Sequence, residues 1–117
     1  MKKQQLLFAN LKQIKDHWVN TAVSSLEPNA DLIWSNVEED FNNLQKLFST
    51  KEEKEAFRKV LNDIVAGVMH STLVMIDGGD ALADSIKIDL IDASSRESLK
   101  NNKALHEEFY GYLFDVE

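Results

Sequence analysis

Residues 51 to 76 constrain the fold more than any other stretch, because they contain no proline and meet no polar turn signal until Asp77, Gly78 and Gly79. Phe57, Val60, Leu61, Ile64 and Val68 recur there at intervals of three and four, which draws one helical face. Thr50 and Glu53 supply a capping box at its start. Beyond Val65 the stripe dissolves into residues 68 to 76, apolar nearly all round and interrupted by His70. That pattern predicts burial on several sides. A continuous helix of this length would extend about 39 Å at ~1.5 Å per residue; a helix that hands over to a buried strand at Ser71 is the alternative. Gly67 weakens the helix, and a glycine after Asp77 can take the left-handed conformation that stops it. This helix is expected to carry the core through Leu61 and Ile64.

Three further helices follow from the same spacing. Leu7, Leu11, Ile14, Trp18, Ala22 and Leu26 predict a helix near residues 4 to 26, ended by Pro28. Ile33 or Trp34 with Val37, Phe41, Leu44 and Phe48 predicts one near 30 to 48, with Ser35 and Glu38 as a capping box and a start anywhere from Asn29 to Asn36. Leu105, Phe109, Tyr112 and Leu113 predict the last, near 103 to 114. Between them Ile86, Ile88 and Leu90 alternate with Lys87, Asp89 and Ile91, as a half-buried strand near 86 to 91 requires. The expected class is mainly α (α+β): a domain of about four helices with one short strand or a small hairpin. Trp18, Trp34, Phe8, Phe41, Phe48 and Phe57 fall at or beside the stripes and are expected in the core.

The chain of 117 residues and 13.3 kDa predicts a single domain, 1–117. Zero cysteines exclude a disulfide framework, a thiolate zinc site and a cysteine nucleophile. No apolar run approaches a membrane span and the amino terminus lacks a signal-peptide core, so a cytoplasmic protein is expected. A net charge of −7 disfavours nucleic acid and suits a basic partner. The charge is polarised. Through Leu26, Lys2, Lys3, Lys12 and Lys15 stand against Asp16, whereas residues 64 to 117 carry ten acids against Lys87, Arg96, Lys100 and Lys103.

Candidate chemistry is sparse. His70, Asp77 and His106 are residue types that a small metal-dependent enzyme would use, yet no His-Glu-x-x-His spacing places two imidazoles on one helical face. Asp77, Asp80 and Asp84 do not follow the calcium-loop order, and the two glycines lack an adjacent cation for phosphate. No nucleophile elbow is present. No cofactor is expected. The acidic Asp77, Asp80 and Asp84 with the aromatic Tyr110 and Tyr112 instead suggest a surface for a basic protein, steered by charge and anchored by rings. A self-associating adaptor, or a homodimer, is the third possibility.

The run from His70 to Gly79, with Leu105-His106-Glu107-Glu108-Phe109-Tyr110-Gly111-Tyr112-Leu113, resembles small single-domain bacterial proteins of the toxin-immunity type. The resemblance covers roughly the last fifty residues. It implies a non-enzymatic protein that binds a cognate toxin, often a basic nuclease, and covers its active surface. It assigns no residue a role.

Overall fold

The computed structural model describes residues 2–32, 35–100 and 102–117. Four α-helices account for most of the chain: α1 (Lys2–Ser24), α2 (Glu38–Leu47), α3 (Lys51–Ile76) and α4 (Leu105–Val116). A 3-10 helix, Ala81–Asp84, lies between the last two. The protein is mostly helical, and no strand is present among the described residues.

The bounds of α3 are those its sequence predicts, because both ends are chemically specified. At its start the Thr50 N–H donates to Glu53 Oε1 (2.9 Å) and the Glu53 N–H donates to Thr50 Oγ1 (3.1 Å). The bond from the Thr50 backbone, with that from its hydroxyl, holds the Glu53 carboxyl below its ordinary range. At the other end the Gly79 N–H donates to the Val74 carbonyl at 2.8 Å, with Gly78 at φ 80°. A Cβ on Gly79 would fall 2.8 Å from Val74 Cγ1, so a larger residue at this close return would force Val74 to shift.

The second helix is shorter than its periodicity predicts. Ser35 does not cap it; its Oγ accepts from the Val37 N–H at 3.1 Å, a local turn that competes with a helical start. The helix opens at Glu38 instead, with Glu38, Glu39 and Asp40 favourably placed in its first turn. Leu32 is buried outside any helix. Ile33 and Trp34, and with them the expectation of Trp34 in the core, lie outside the described residues.

The expected strand near 86 to 91 is absent. An isolated antiparallel bridge, Ile91 with Ser98, stands in its place, with the Leu99 N–H donating to the Leu90 carbonyl at 2.8 Å. Lys100 Nζ takes the Ile88 carbonyl at 2.9 Å. Leu90 turns inward while Ile86 and Ile91 remain exposed. Local turns and a lysine satisfy backbone groups that a ladder would otherwise need.

The chain forms two compact units, one of Met1–Gln13 with Ala66–Glu117 and the other Ile14–Val65. In the first, Phe8, Leu73, Leu105, Phe109 and Leu113 make the core. The Phe8 ring lies 5.4 Å from Phe109 and 5.8 Å from Tyr112. The segment before α4 is tied down by Gln4 Nε2, which donates to the Leu99 carbonyl at 2.9 Å, and by a 2.8 Å ion pair of Lys3 with Asp92. In the second unit Val19, Leu26 and Leu32 are buried. There Phe48 meets Phe57 at 5.2 Å, Gln45 Nε2 donates to the Ser25 carbonyl at 2.9 Å, and Arg58 donates to Asn20.

The inward face of α1 differs from the apolar stripe. Gln4, Phe8, Lys15 and Val19 are buried, whereas Ile14 and Trp18 are exposed, Trp18 by 53%. Two polar side chains turn the helix. Gln4 bonds the Leu99 carbonyl, and the fully buried Lys15 donates to Asn62 Oδ1 at 2.6 Å and to Asp16 Oδ1 at 2.8 Å. A buried ammonium with such partners fixes a helix's rotation as firmly as an apolar stripe. Likewise only Leu73 of α3 is fully buried, and Ile64 is 55% exposed, so Ile64 does not carry the core.

The Lys3 pair gives the fold an acid-sensitive contact. The Lys3 hydrogen bond, with N–H groups of Ser94 and Ser95, lowers Asp92 from its ordinary 3.8 to about 2. A lowered carboxyl stabilises the fold above its unfolded pKa and loses that contribution as pH falls through its folded one. The stability difference between the native protein and Asp92→Asn is therefore expected to be full above about pH 4 and gone near pH 2. Urea unfolding across that range checks it; a pH-independent difference would place the effect elsewhere.

Candidate functional site

The amino terminus of α4 has no acceptor of its own, since its N-cap is Ala104. The end of α3 supplies one. Asp77 Oδ2 accepts from the His106 N–H at 2.9 Å and lies 2.6 Å from His106 Nδ1. A carboxylate can only accept, so Nδ1 donates and Nε2 faces away from Asp77. The Asp77 side chain is 5% exposed, and among the described residues its other oxygen is buried without a hydrogen-bond partner. The His70 ring meets His106 edge-on at 5.3 Å and Tyr110 at 6.4 Å.

His70, Asp77 and His106 thus converge, as a metal enzyme would require, but in another geometry. One Asp77 oxygen is committed to His106, and the imidazoles meet edge to face. Among the described residues no three His, Cys, Asp or Glu side chains are placed to hold a metal ion. What the arrangement does is set the start and direction of α4. Beside it lies an open depression of about 520 Å³ that includes Lys100 and Lys103 in its wall. Lys100 is engaged with Ile88, and Lys103 reaches Glu108 at 3.7 Å.

The direction of α4 decides which rings meet solvent. Leu105, Phe109 and Leu113, spaced by four, turn inward and are buried. Tyr110 and Phe114, one turn apart on the opposite side, are 66% and 80% exposed. Acids accompany them: the Glu107 side chain is 77% exposed, and Asp115 and Glu117 are exposed.

The five residues predicted for partner binding therefore separate. Tyr110 stands in solvent. Tyr112 is half-buried against Phe8 and Phe109, where it completes the core. Asp77 is buried with His106 and takes a positioning role. Asp80 is exposed, and its Oδ1 accepts from the Leu82 N–H at 3.1 Å to cap the 3-10 helix, at whose end Asp84 is exposed. Phe114 is the residue that the sequence reading left out of the set. Its signal was available: once Leu105, Phe109 and Leu113 define the inward face, Tyr110 and Phe114 must share the outer one.

Comparison with known protein families, curated proteins and solved structures finds no match.

Proposed function

We propose that this is a non-enzymatic binding module of the cytoplasm that docks a basic protein through the outer face of α4, in the manner of an immunity protein blocking a cognate toxin. The observation that carries the reading is the exposure of Tyr110 and Phe114 together, one helical turn apart, among acids. Exposing two such rings to solvent has no benefit for the monomer, whereas an aromatic pair with an acidic surround fits the anchor-and-rim anatomy of an interface. The net charge of −7 would speed encounter with a cationic surface. Asp80 and Asp84 contribute to that field; Asp77, being buried, contributes through α4.

The test is affinity capture from the native host with the wild-type protein and a Tyr110→Ala/Phe114→Ala variant, followed by surface-plasmon kinetics on what is captured. A basic protein retained by the wild type and lost by the variant is expected. Either single substitution should raise the dissociation rate about 10- to 30-fold, which corresponds to ~1.4–2 kcal/mol. Asp80→Lys/Asp84→Lys should mainly slow association, and added salt should do the same. Retention indifferent to both ring substitutions would overturn the reading.

A further inference from the structure

The depression beside the start of α4, about 520 Å³, lies within the ~300–1,000 Å³ of small-molecule sites and far exceeds the ~30 Å³ share of one water molecule. Its wall brings together groups of opposite sign. Asp77 contributes from the end of α3, and its side chain is 5% exposed. Oδ2 is held by the His106 backbone and imidazole, whereas Oδ1 is buried without a donor among the described residues. A buried carboxylate oxygen in that condition is costly, and a group that brings it an N–H relieves the cost.

The same wall holds two cations, Lys100 and Lys103. Lys100 Nζ donates to the Ile88 carbonyl at 2.9 Å but stays 4.0 Å from Asp89 Oδ1, and Lys103 Nζ stays 3.7 Å from Glu108 Oε1. Those separations exceed the ~3.2 Å limit of an N–H···O bond, so both ammoniums have donors to offer an anion. Ala104 completes the wall as the N-cap of the twelve-residue α4, whose positive end adds to the attraction.

We infer that this depression binds a small zwitterion, an α-amino acid with an acidic side chain. A simple anion would meet the lysines but set its lone pairs against Asp77 Oδ1. A simple cation would satisfy Asp77 and face two ammoniums. A molecule that joins a protonated amine to carboxylates meets both requirements, its ammonium donating to Asp77 Oδ1 and its carboxylates accepting from Lys100 and Lys103. The charge balance selects the acidic member of the class. Two lysines against one carboxylate leave the wall with one positive charge in excess, and an amino acid with two carboxylates and one ammonium carries the single negative charge that matches it. This site is separate from the exposed rings of α4 and does not depend on what they dock.

Amide chemical shifts of ¹⁵N-labelled full-length protein, titrated with L-glutamate, glutarate and inorganic phosphate, test the site. Glutamate should move the amides of Gly78, Ser98, Lys100, Lys103 and Ala104, with a Kd in the millimolar range. Glutarate has the same two carboxylates on the same carbon chain but no ammonium, and should bind at least about 10-fold more weakly. Lys103→Ala, at a side chain 69% exposed, should fold normally and weaken glutamate by about 10-fold. Asp77→Asn keeps one oxygen for His106 and presents an amide N–H in place of Oδ1, so it should reverse the order of glutamate and glutarate. Should that variant fold poorly, the comparison of the two ligands on the native protein decides alone. Glutarate or phosphate binding as tightly as glutamate would overturn the proposal, and so would the absence of shifts at about 10 mM glutamate. Tyr110→Ala/Phe114→Ala should leave glutamate binding unchanged, so failure of this reading is distinguishable from failure of the docking one.

Discussion

Phe109→Ala should destabilise the protein by about 3–5 kcal/mol, the largest effect expected of any single side chain. Phe109 is 1% exposed, lies 5.4 Å from the equally buried Phe8 and shares the core with Leu73, Leu105 and Leu113. Truncation removes the transfer energy of a ring and leaves a cavity among side chains held on three helices, which cannot all close on it. Urea unfolding by circular dichroism measures the loss. Phe114→Ala, five residues on and 80% exposed, is the matched control and should change stability by no more than about 0.5 kcal/mol. Equal losses in the two variants would mean that α4 is rotated from the orientation described here.

Asp77→Ala should cost about 2–4 kcal/mol, because one oxygen serves both the His106 backbone and its imidazole at a helix start whose N-cap residue, Ala104, makes no side-chain bond. The substitution leaves both donors without their acceptor in a half-buried place. The same variant separates two roles for Asp77. If it positions α4, partner dissociation should quicken along with the stability loss, since Tyr110 and Phe114 are presented by that helix. If it steered the partner by charge, association alone would slow and stability would hold. Unfolding curves beside binding kinetics distinguish the outcomes, and a stability loss under 0.5 kcal/mol would show the pair to be idle.

Periodicity located the helices well where chemistry closed both ends. The third helix was legible to the residue, since a capping box and a glycine pair bracket it. The second was misread at its start, because Ser35 had two backbone donors to choose between and took the nearer. Of the candidate site, Tyr110 was visible as an aromatic among acids. Tyr112, two residues on, fitted both the inward stripe and the partner surface, since which face of the helix turns inward is not known until the chain has folded.

What the amino-acid sequence determined by itself is local: the helical class, the bounds of α3, the acidity, and the absence of cysteine chemistry. Helix type and length depend on neighbours within four residues, and charge is a sum. Tertiary structure decided the rotations. Lys15 and Gln4 turn inward because Asn62 and the Leu99 carbonyl, distant in sequence, accept their hydrogen bonds, and that rotation carries Trp18 outward. His70, Asp77 and His106 converge for the same kind of reason: a bond across 29 residues joins the end of one helix to the start of another. No window of sequence contains such a pair, so which rings line the core and which wait for a partner became readable only when the chain had folded.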